Sequence, residues 1–218
     1  MDAGTRGGTG GGTGGGVVST VVMNNVVSLD GFVAGPDDDP GPLFDWYFNG
    51  DHRLDTQDMA DPAPGGIRVS RASYDHVREV WQGVGCMVIG RRLFDLTHGW
   101  EGRPPTGDHL VVVSHRPKPD GWHPDAPCTF VGDVTTAVAT ARDLAGDRTV
   151  SVAAGDVGGQ ALALGLVDEV AMDVAPVVLG AGRRFFGERH EATRQLLDDP
   201  HVVIQGDRVL HLRFRVRR

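Results

Sequence analysis

The clearest pattern along the chain is an apolar run over residues 150–154, a glycine-rich turn over 155–159 and a short helical stretch over 160–164. Gly165 stands where a glycine commonly ends a helix. A second apolar run then extends over 170–176. Strand, glycine turn, helix and strand in this order predict a βαβ unit.

The rest of the chain repeats this alternation of short apolar runs and amphipathic stretches. Apolar runs predict strands over 17–27, 86–89, 110–113 and 129–131, and side-chain periodicity predicts helices over 72–81, 93–97 and 134–145. Asp133 is placed to cap the last of these helices. By contrast, residues 34–70 contain many Asp, Pro and Gly residues and are predicted to be irregular.

The end of the chain has the pattern of an antiparallel hairpin. Residues 202–205 and 208–216 flank Gly206-Asp207, and a glycine in first position favours a type II′ turn. In the second strand, apolar side chains alternate with His211 and three arginines, which predicts a half-buried strand with one basic face. We therefore predict an α/β fold whose mixed, mainly parallel central sheet carries a C-terminal antiparallel hairpin.

Composition and charge agree with one globular unit. The chain has 218 residues, 40% of them hydrophobic, which is enough for a substantial core. Residues 1–16 are expected to be a flexible glycine-rich tail and 17–218 the folded domain. A net charge of −8 argues against general nucleic-acid binding, and no apolar run is long enough for a membrane span. Together with unpaired Cys86 and Cys128, this suggests a cytoplasmic protein.

Small or basic residues follow three of the predicted strands. Gly90-Arg91-Arg92, Ser114-His115-Arg116 and the turn that begins at Gly155 each stand at a strand end. In open α/β sheets, ligands bind beyond the carboxyl ends of parallel strands. If these strands are parallel neighbours, their turns converge on one edge, where helix starts and arginines suit a phosphorylated nucleotide.

The glycine turn also has simpler interpretations. Its glycines could serve only the geometry of the strand-to-helix connection, and Asp156 could accept backbone N–H groups as a helix cap. The full dinucleotide fingerprint is absent, because Ala153 and Ala154 stand where further glycines would help. Nucleotide binding and plain turn chemistry both remain open on this pattern alone.

Other chemistries have little support in the sequence. The nine histidines and the carboxylates show no metal-ligand spacing, so no metal site is predicted. The chain also lacks the G-x-S-x-G elbow of serine hydrolases, the paired-cysteine motif of zinc deaminases and the Gly-Lys-Ser/Thr end of a phosphate-binding loop.

Several segments in order resemble those of the dihydrofolate reductase-like family, which includes the reductase domain of the bacterial riboflavin-pathway deaminase–reductase. The segments are SLDGF (28–32), GRRLF (90–94), GDV (155–157), GLVDE (165–169) and APVVLGAG (175–182). The resemblance covers residues 17–218 and implies a dihydrofolate reductase-like three-layer fold. It also implies NADPH as hydride donor, a pterin- or pyrimidine-like acceptor and a homodimer.

The resemblance further implies roles for individual residues. Its cofactor site would comprise Val27, Gly90, Arg91, Arg92, Leu93, Ser114, His115, Ala154, Gly155, Asp156, Val157 and Gly158, to which the strand-end pattern adds Arg116. Its substrate side would comprise Asp30, Gly31, Phe44, Asp45 and Trp46. Asp30 and Gly31 could equally serve only as a turn, and the aromatic run around Asp45 only to pack down a loop.

We therefore expect an NADPH-dependent reductase of the 5-amino-6-(5-phosphoribosylamino)uracil reductase or dihydrofolate reductase type, acting on a small pterin, pyrimidine or carbonyl compound. Asp30 or Asp45, or a water held by one of them, is the candidate proton source, since desolvation can keep a carboxyl protonated nearer neutral pH. The alternatives are a catalytically silent nucleotide-binding protein, which Ala153 and Ala154 favour, and a true dihydrofolate reductase. Without a deaminase motif, the two-step riboflavin activity is not expected.

Overall fold

The fold is built on a central eight-stranded sheet with helices on both faces. A computed structural model describes residues 19–54, 66–188 and 194–218; the predicted tail, 1–16, lies outside these residues. The strands of the sheet are β1 (Val21–Ser28), β5 (Val84–Gly90), β6 (His109–Val113), β7 (Cys128–Val131), β8 (Thr149–Ala153), β9 (Glu169–Ala175), β11 (Val202–Gly206) and β12 (Val209–Arg215). The helices are α1 (Arg71–Gly83), α2 (Arg91–Thr97), α3 (Val134–Ala145) and α4 (Asp156–Ala163).

Several short elements lie between the main strands and helices. They are β2 (Phe32–Ala34), β3 (His52–Arg53), β4 (Arg68–Val69), β10 (Arg183–Arg184) and two 3₁₀ segments, Gly41–Phe48 and His98–Gly102. Strand β2 pairs with β10 and β3 with β4, outside the main sheet. The prediction of irregular structure over 34–70 was therefore wrong for its aromatic run, which forms the first 3₁₀ segment.

The order of strands confirms the mixed sheet. It runs β11-β12-β9-β1-β8-β5-β6-β7. The six strands from β9 to β7 are parallel, and β12 and β11 join antiparallel at the β9 edge. The α/β fold with a C-terminal antiparallel hairpin is thus confirmed.

The side chains of β1 point alternately to the two faces of the sheet and join a separate apolar cluster on each face. Val27 packs with buried residues of α3 and α4, whereas its neighbour Val26 packs with Trp46 and with Val77 of α1. Successive side chains of a strand point to opposite faces, so α3 and α4 cover one face and α1 with the first 3₁₀ segment covers the other. A third apolar cluster, around Ile89, lies beneath α2.

Two helix ends lie where the sequence predicted them, and one does not. Asp133 caps α3 by accepting the N–H of Thr136 at 2.8 Å, as predicted. Gly165, at φ +70°, ends α4. However, α4 begins at Asp156, four residues earlier than predicted, and its N-cap is Gly155. Asp156 is therefore not a cap; its carboxylate instead accepts the N–H of Glu188 at 3.2 Å.

The hairpin turn is shifted by one residue from its predicted position. Gly206 pairs with Val209 inside the ladder, so the connecting residues are Asp207 and Arg208. Gly206 is needed for another reason, because a Cβ there would lie 2.1 Å from the hydroxyl of Ser73. The glycine allows α1 to approach the sheet closely and does not serve the turn.

The predicted basic face of β12 is not a solvent face. His211 is fully buried, and Arg213 is ion-paired with Glu169. Among the β12 residues on the predicted basic face, only Arg215 is exposed. The predicted assignment of a buried apolar row and an exposed basic row was therefore wrong: α1 covers the histidine, and Leu210, Leu212 and Phe214 of the apolar row are only half-buried.

Arg208 occupies a strained turn position, and relieving the strain should stabilise the protein. Its φ of +58° suits glycine far better than a side chain with a Cβ. We expect Arg208→Gly to raise the free energy of unfolding by about 1 kcal/mol, or about 2 to 4 °C in melting temperature. Asp207→Gly, at a residue without positive φ, is the control and should give no gain. Equal or lower stability of the Arg208 variant would contradict the turn geometry.

Candidate active site

The three strand ends singled out in the sequence lie side by side. Strand β5 pairs in parallel with β8 on one side and with β6 on the other. Gly90 is level with Val113, so Ser114 begins just beyond the same edge as Gly90. The turn at Gly155 follows the end of β8 at that edge. The condition that these strands be parallel neighbours is therefore met. We refer to the turns after β8, β5 and β6 as the phosphate-side edge.

Two of these turns touch directly. A Cβ placed on Gly90 would lie 3.1 Å from a methyl carbon of Val157, in the first turn of α4. That distance is tighter than most side-chain contacts, so the absence of a side chain at Gly90 lets the turns after β5 and β8 meet. The starts of α2 and α4 consequently lie next to each other.

Arg91 joins the turn after β5 to the turn after β6. Its guanidinium donates to the Pro117 carbonyl at 3.0 Å and to the Ser114 hydroxyl at 3.4 Å, while Nε donates to Asp95 at 2.7 Å. The side chain is mostly buried. Arg116, which is largely exposed, bonds the other oxygen of Asp95 at 2.8 Å. Arg91 thus organises the edge, and Arg116 is the more accessible cation.

Arg92 is held by a carboxylate that the sequence did not single out. Asp38, from the loop after β2, accepts hydrogen bonds from Arg92 and from Arg183 of β10, the latter at 3.0 Å. Hydrogen bonding to Arg92 and then to Arg183 holds the pKa of the Asp38 carboxyl below its ordinary value. The guanidinium of Arg92 is nevertheless more than half exposed, so one side of it still faces solvent.

The start of α4 has the geometry of an anion site. Gly155 has φ +104°, and a Cβ there would meet nothing within 4 Å, so its surroundings are open. In the described part of the chain, no side chain caps this helix. Its first N–H groups therefore lack a side-chain acceptor, and such groups bind phosphates well.

A backbone chain connects this helix start to the turn after β1. The N–H of Gly155 donates to the carbonyl of Phe185 at 2.7 Å, and the N–H of Phe185 donates to the carbonyl of Gly31 at 2.9 Å. Phe185 is fully buried. The turn Asp30-Gly31, which was predicted to lie on the substrate side, is therefore held at a fixed separation from the phosphate-side edge.

Asp30 is an ionised carboxylate in a ring of donors. It accepts the hydroxyl of Ser28 at 2.6 Å and the N–H groups of Leu179 and Gly180 at 3.1 and 2.7 Å. The Ser28 hydrogen bond is the largest cause that lowers the pKa of Asp30. The expectation that desolvation keeps a proton on this carboxyl was wrong for Asp30, because these donors favour the charged form.

The aromatic segment separates its three predicted substrate residues. Trp46 is only 1% exposed and packs in the core, with its ring edge-on to His211 at 5.2 Å between centroids. Phe44 is half-buried and stacks on Tyr47, while Asp45 is exposed. No hydrogen bond among the described residues joins Asp45 to Asp30. The roles of these three residues remain predictions.

The other predicted cofactor residues lie at or beneath the same edge. Val27 is fully buried in the core, and Leu93 is half-buried in the first turn of α2. His115 is exposed, Gly158 is buried, and Ala154 donates its N–H to the carbonyl of Asn24 at 3.0 Å.

A polar cluster beneath the aromatic segment was not foreseen from the sequence. The Ser73 hydroxyl lies 2.9 Å from Nε2 of His211, whose Nδ1 lies 2.6 Å from the carboxylate of Asp173. His76 lies one turn along α1, with its ring 5.0 Å from that of His211. The partners come from α1, β9 and β12, so no local motif signals them.

A large cavity lies away from the phosphate-side edge. It has a volume of about 830 Å³ and is lined by the end of α2, the second 3₁₀ segment and residues 123–127. Four residues of that segment, His98 to Glu101, have left-handed backbone angles.

Within the described residues, no helix is both long and apolar enough to cross a bilayer.

The structure thus combines a mainly parallel sheet with helix starts and arginines at one edge, the edge where open α/β sheets bind their ligands. A model of the RibD C-terminal domain matches residues 19–210, and the chain belongs to that family. No curated protein matches the sequence.

Solved structures share the fold at low sequence identity. A protein assigned to riboflavin biosynthesis in Shewanella sp. PV-4 has a TM-score of 0.61 and 18% identity over 91% of this chain and 99% of its own. A pyrimidine reductase-like protein from Corynebacterium diphtheriae has a TM-score of 0.54 and 16% identity over 92% of both chains.

A third similar structure is much longer than this chain. It is the diaminohydroxyphosphoribosylaminopyrimidine deaminase/5-amino-6-(5-phosphoribosylamino)uracil reductase of Thermotoga maritima. Its TM-score is 0.58 at 13% identity, and the match covers 92% of this chain and 57% of the other.

Proposed function

We propose that this protein is an NADPH-dependent reductase that transfers hydride to a small pyrimidine-, pterin- or carbonyl-type acceptor. The observation that carries the proposal is the convergence of three turns, after β8, β5 and β6, at one sheet edge. Membership of the RibD C-terminal domain family and the likeness to a pyrimidine reductase-like protein support the reaction class. A homodimer, as the family resemblance implies, is part of the proposal.

The residues present suit a dinucleotide phosphate. The open space at Gly155 and the start of α4 offer backbone donors, and Arg116 and the exposed side of Arg92 offer positive charge. Asp156, the one acidic group in the first turn of α4, turns its carboxylate to the N–H of Glu188. This hydrogen bond directs the carboxylate toward Glu188, so its charge repels a phosphate at the helix start less than a carboxylate pointing into that space would.

The chemistry divides between cofactor and protein. When bound, NADPH supplies the hydride. The chain positions donor and acceptor, since Phe185 fixes the distance between Gly155 and Gly31. Asp30, being ionised, serves as an acceptor that orients a water or an N–H group of the substrate. That water, in exchange with solvent, passes a solvent proton to the acceptor after hydride transfer, so no hydroxide is left in the site.

One observation favours the second candidate, a nucleotide-binding protein without turnover. The pKa of Asp30 is lowered, chiefly by the hydrogen bond from Ser28, so this carboxyl carries no proton of its own to give to an acceptor. On this candidate, NADPH binds but no acceptor oxidises it. A true dihydrofolate reductase is the third candidate and predicts rapid turnover of dihydrofolate.

Stopped-flow and equilibrium measurements with NADPH separate these candidates. We expect saturable quenching of tryptophan fluorescence by NADPH and oxidation of NADPH by at least one pyrimidine, pterin or carbonyl compound in a panel that includes dihydrofolate. Binding without oxidation across the panel would favour the silent protein. No binding at millimolar NADPH would contradict all three candidates.

A further inference from the structure

We propose that His76, Asp173 and His211 form a binding site for a divalent transition-metal ion of the zinc type. Each residue offers one ligand atom, and the three atoms lie within 4.8 Å of one another. The site is separate from the phosphate-side edge, because it lies between α1 and the face of β9 and β12 beneath Trp46.

The donor set suits such an ion. Two imidazole nitrogens and one carboxylate oxygen are ligands that zinc and its neighbours accept, with water in the fourth position. In a tetrahedral site with bonds of about 2.0 to 2.1 Å, ligand atoms are about 3.4 Å apart. The Nδ1–Oδ1 pair at 2.6 Å must open slightly, and the half-exposed imidazole of His76 must move in.

Ser73 is placed to set the tautomer of His211. A hydroxyl can donate or accept, so the metal-free protein can carry the imidazole proton on Nδ1, directed to Asp173, while Ser73 donates to Nε2. With a metal on Nδ1, the proton moves to Nε2 and Ser73 accepts it, the usual arrangement around a metal-bound histidine. Ser70, whose hydroxyl donates to Ser73 at 3.2 Å, holds that hydroxyl in place.

Access distinguishes this site from a hydrolytic triad. Ser73, His211 and Asp173 are linked by hydrogen bonds in the same way as the serine, histidine and aspartate of a serine hydrolase triad. However, Ser73 is 1% exposed and packs closely against Gly206, so no substrate reaches its hydroxyl. Asp173 is 30% exposed and His76 is half-exposed, so an ion can enter from their side.

The surrounding charge permits a cation. Arg213 is close enough to act on His76, but it is ion-paired with Glu169. The negatively charged carboxylates of Asp173 and Glu79 also act on the His76 imidazole, and their charge favours a cation there. A bound ion would tie α1 to β9 and β12.

The test uses tag-free protein freed of metal with a chelator and titrated with Co²⁺, whose visible absorption reports imidazole coordination. We expect one equivalent to bind and Zn²⁺ to displace it. Zn²⁺ at a hundredfold excess over its Kd should raise the melting temperature by about 5 to 10 °C. His76→Ala and Asp173→Asn should abolish the Co²⁺ spectrum, and Ser73→Ala should weaken binding by about tenfold or more.

His123→Ala is the matched control. His123 is exposed and is also bonded to a carboxylate, that of Glu101 at 2.8 Å, but it lies by the large cavity. This variant should bind Co²⁺ as wild type does. No saturable binding, or binding that survives both His76→Ala and Asp173→Asn in folded protein, would overturn the proposal. Loss of binding in His123→Ala would identify a surface site instead.

Discussion

Asp30→Asn is expected to slow hydride transfer by about a hundredfold to ten-thousandfold while leaving the Kd for NADPH within about threefold. The carboxylate accepts three hydrogen bonds, and an amide group in its place would turn one NH₂ toward the N–H of Leu179 or Gly180. The variant also removes the charge that orients water toward the acceptor. Single-turnover oxidation of NADPH with an acceptor from the panel measures the effect.

Ser28→Ala is the matched control for this prediction. It removes the hydroxyl that donates to Asp30 at 2.6 Å but keeps the carboxylate. The pKa of Asp30 should rise toward its ordinary value, and turnover should fall by less than about tenfold. Because the folded pKa is lowered, wild-type turnover should show no loss from Asp30 until the pH falls below the ordinary carboxyl range. Wild-type rates in Asp30→Asn would exclude a role for the carboxylate in the reaction.

Gly155→Ala is expected to weaken NADPH binding by about tenfold to a hundredfold. The residue combines φ +104° with open space where its Cβ would point, and the proposed phosphate occupies that space. A methyl group there would cost at least one charge-assisted hydrogen bond, about 1.5 to 3 kcal/mol. Fluorescence titration with NADPH measures the change.

Gly165→Ala controls for backbone strain. Gly165 has φ +70° and similarly open surroundings, but it lies at the opposite end of α4. Both substitutions should lower the melting temperature, since both place a side chain at positive φ. Only the Gly155 variant should lose nucleotide affinity. Equal Kd values for the two variants would argue that the phosphate lies elsewhere.

Local patterns predicted most strands of the sheet, but the order of the strands came only from the structure. The apolar run before each glycine or basic turn identified β5, β6 and β8, and parallel packing followed from the helices between them. The hairpin turn was misplaced because Gly206 satisfies a contact with Ser73 that is distant in sequence. A glycine in the sequence does not say whether it serves a turn or a close approach.

The candidate site was predictable where it depends on strand ends and not where it depends on tertiary contacts. Gly90, Ser114 and Gly155 each follow an apolar run, so topology brings them together. Asp38 could not have been foreseen, because its partners Arg92 and Arg183 come from elements far along the chain. The same holds for His76, Asp173 and His211, whose spacing in sequence matches no metal motif.

The most direct test of the phosphate-side edge is an amide NMR titration of ¹⁵N-labelled protein with NADPH. We predict saturable shifts at residues 90–93, 114–116 and 154–158, with small changes in the large cavity at 100–103 and 123–127. Shifts confined to the cavity residues, with the three strand-end turns unmoved, would contradict a nucleotide site at this edge.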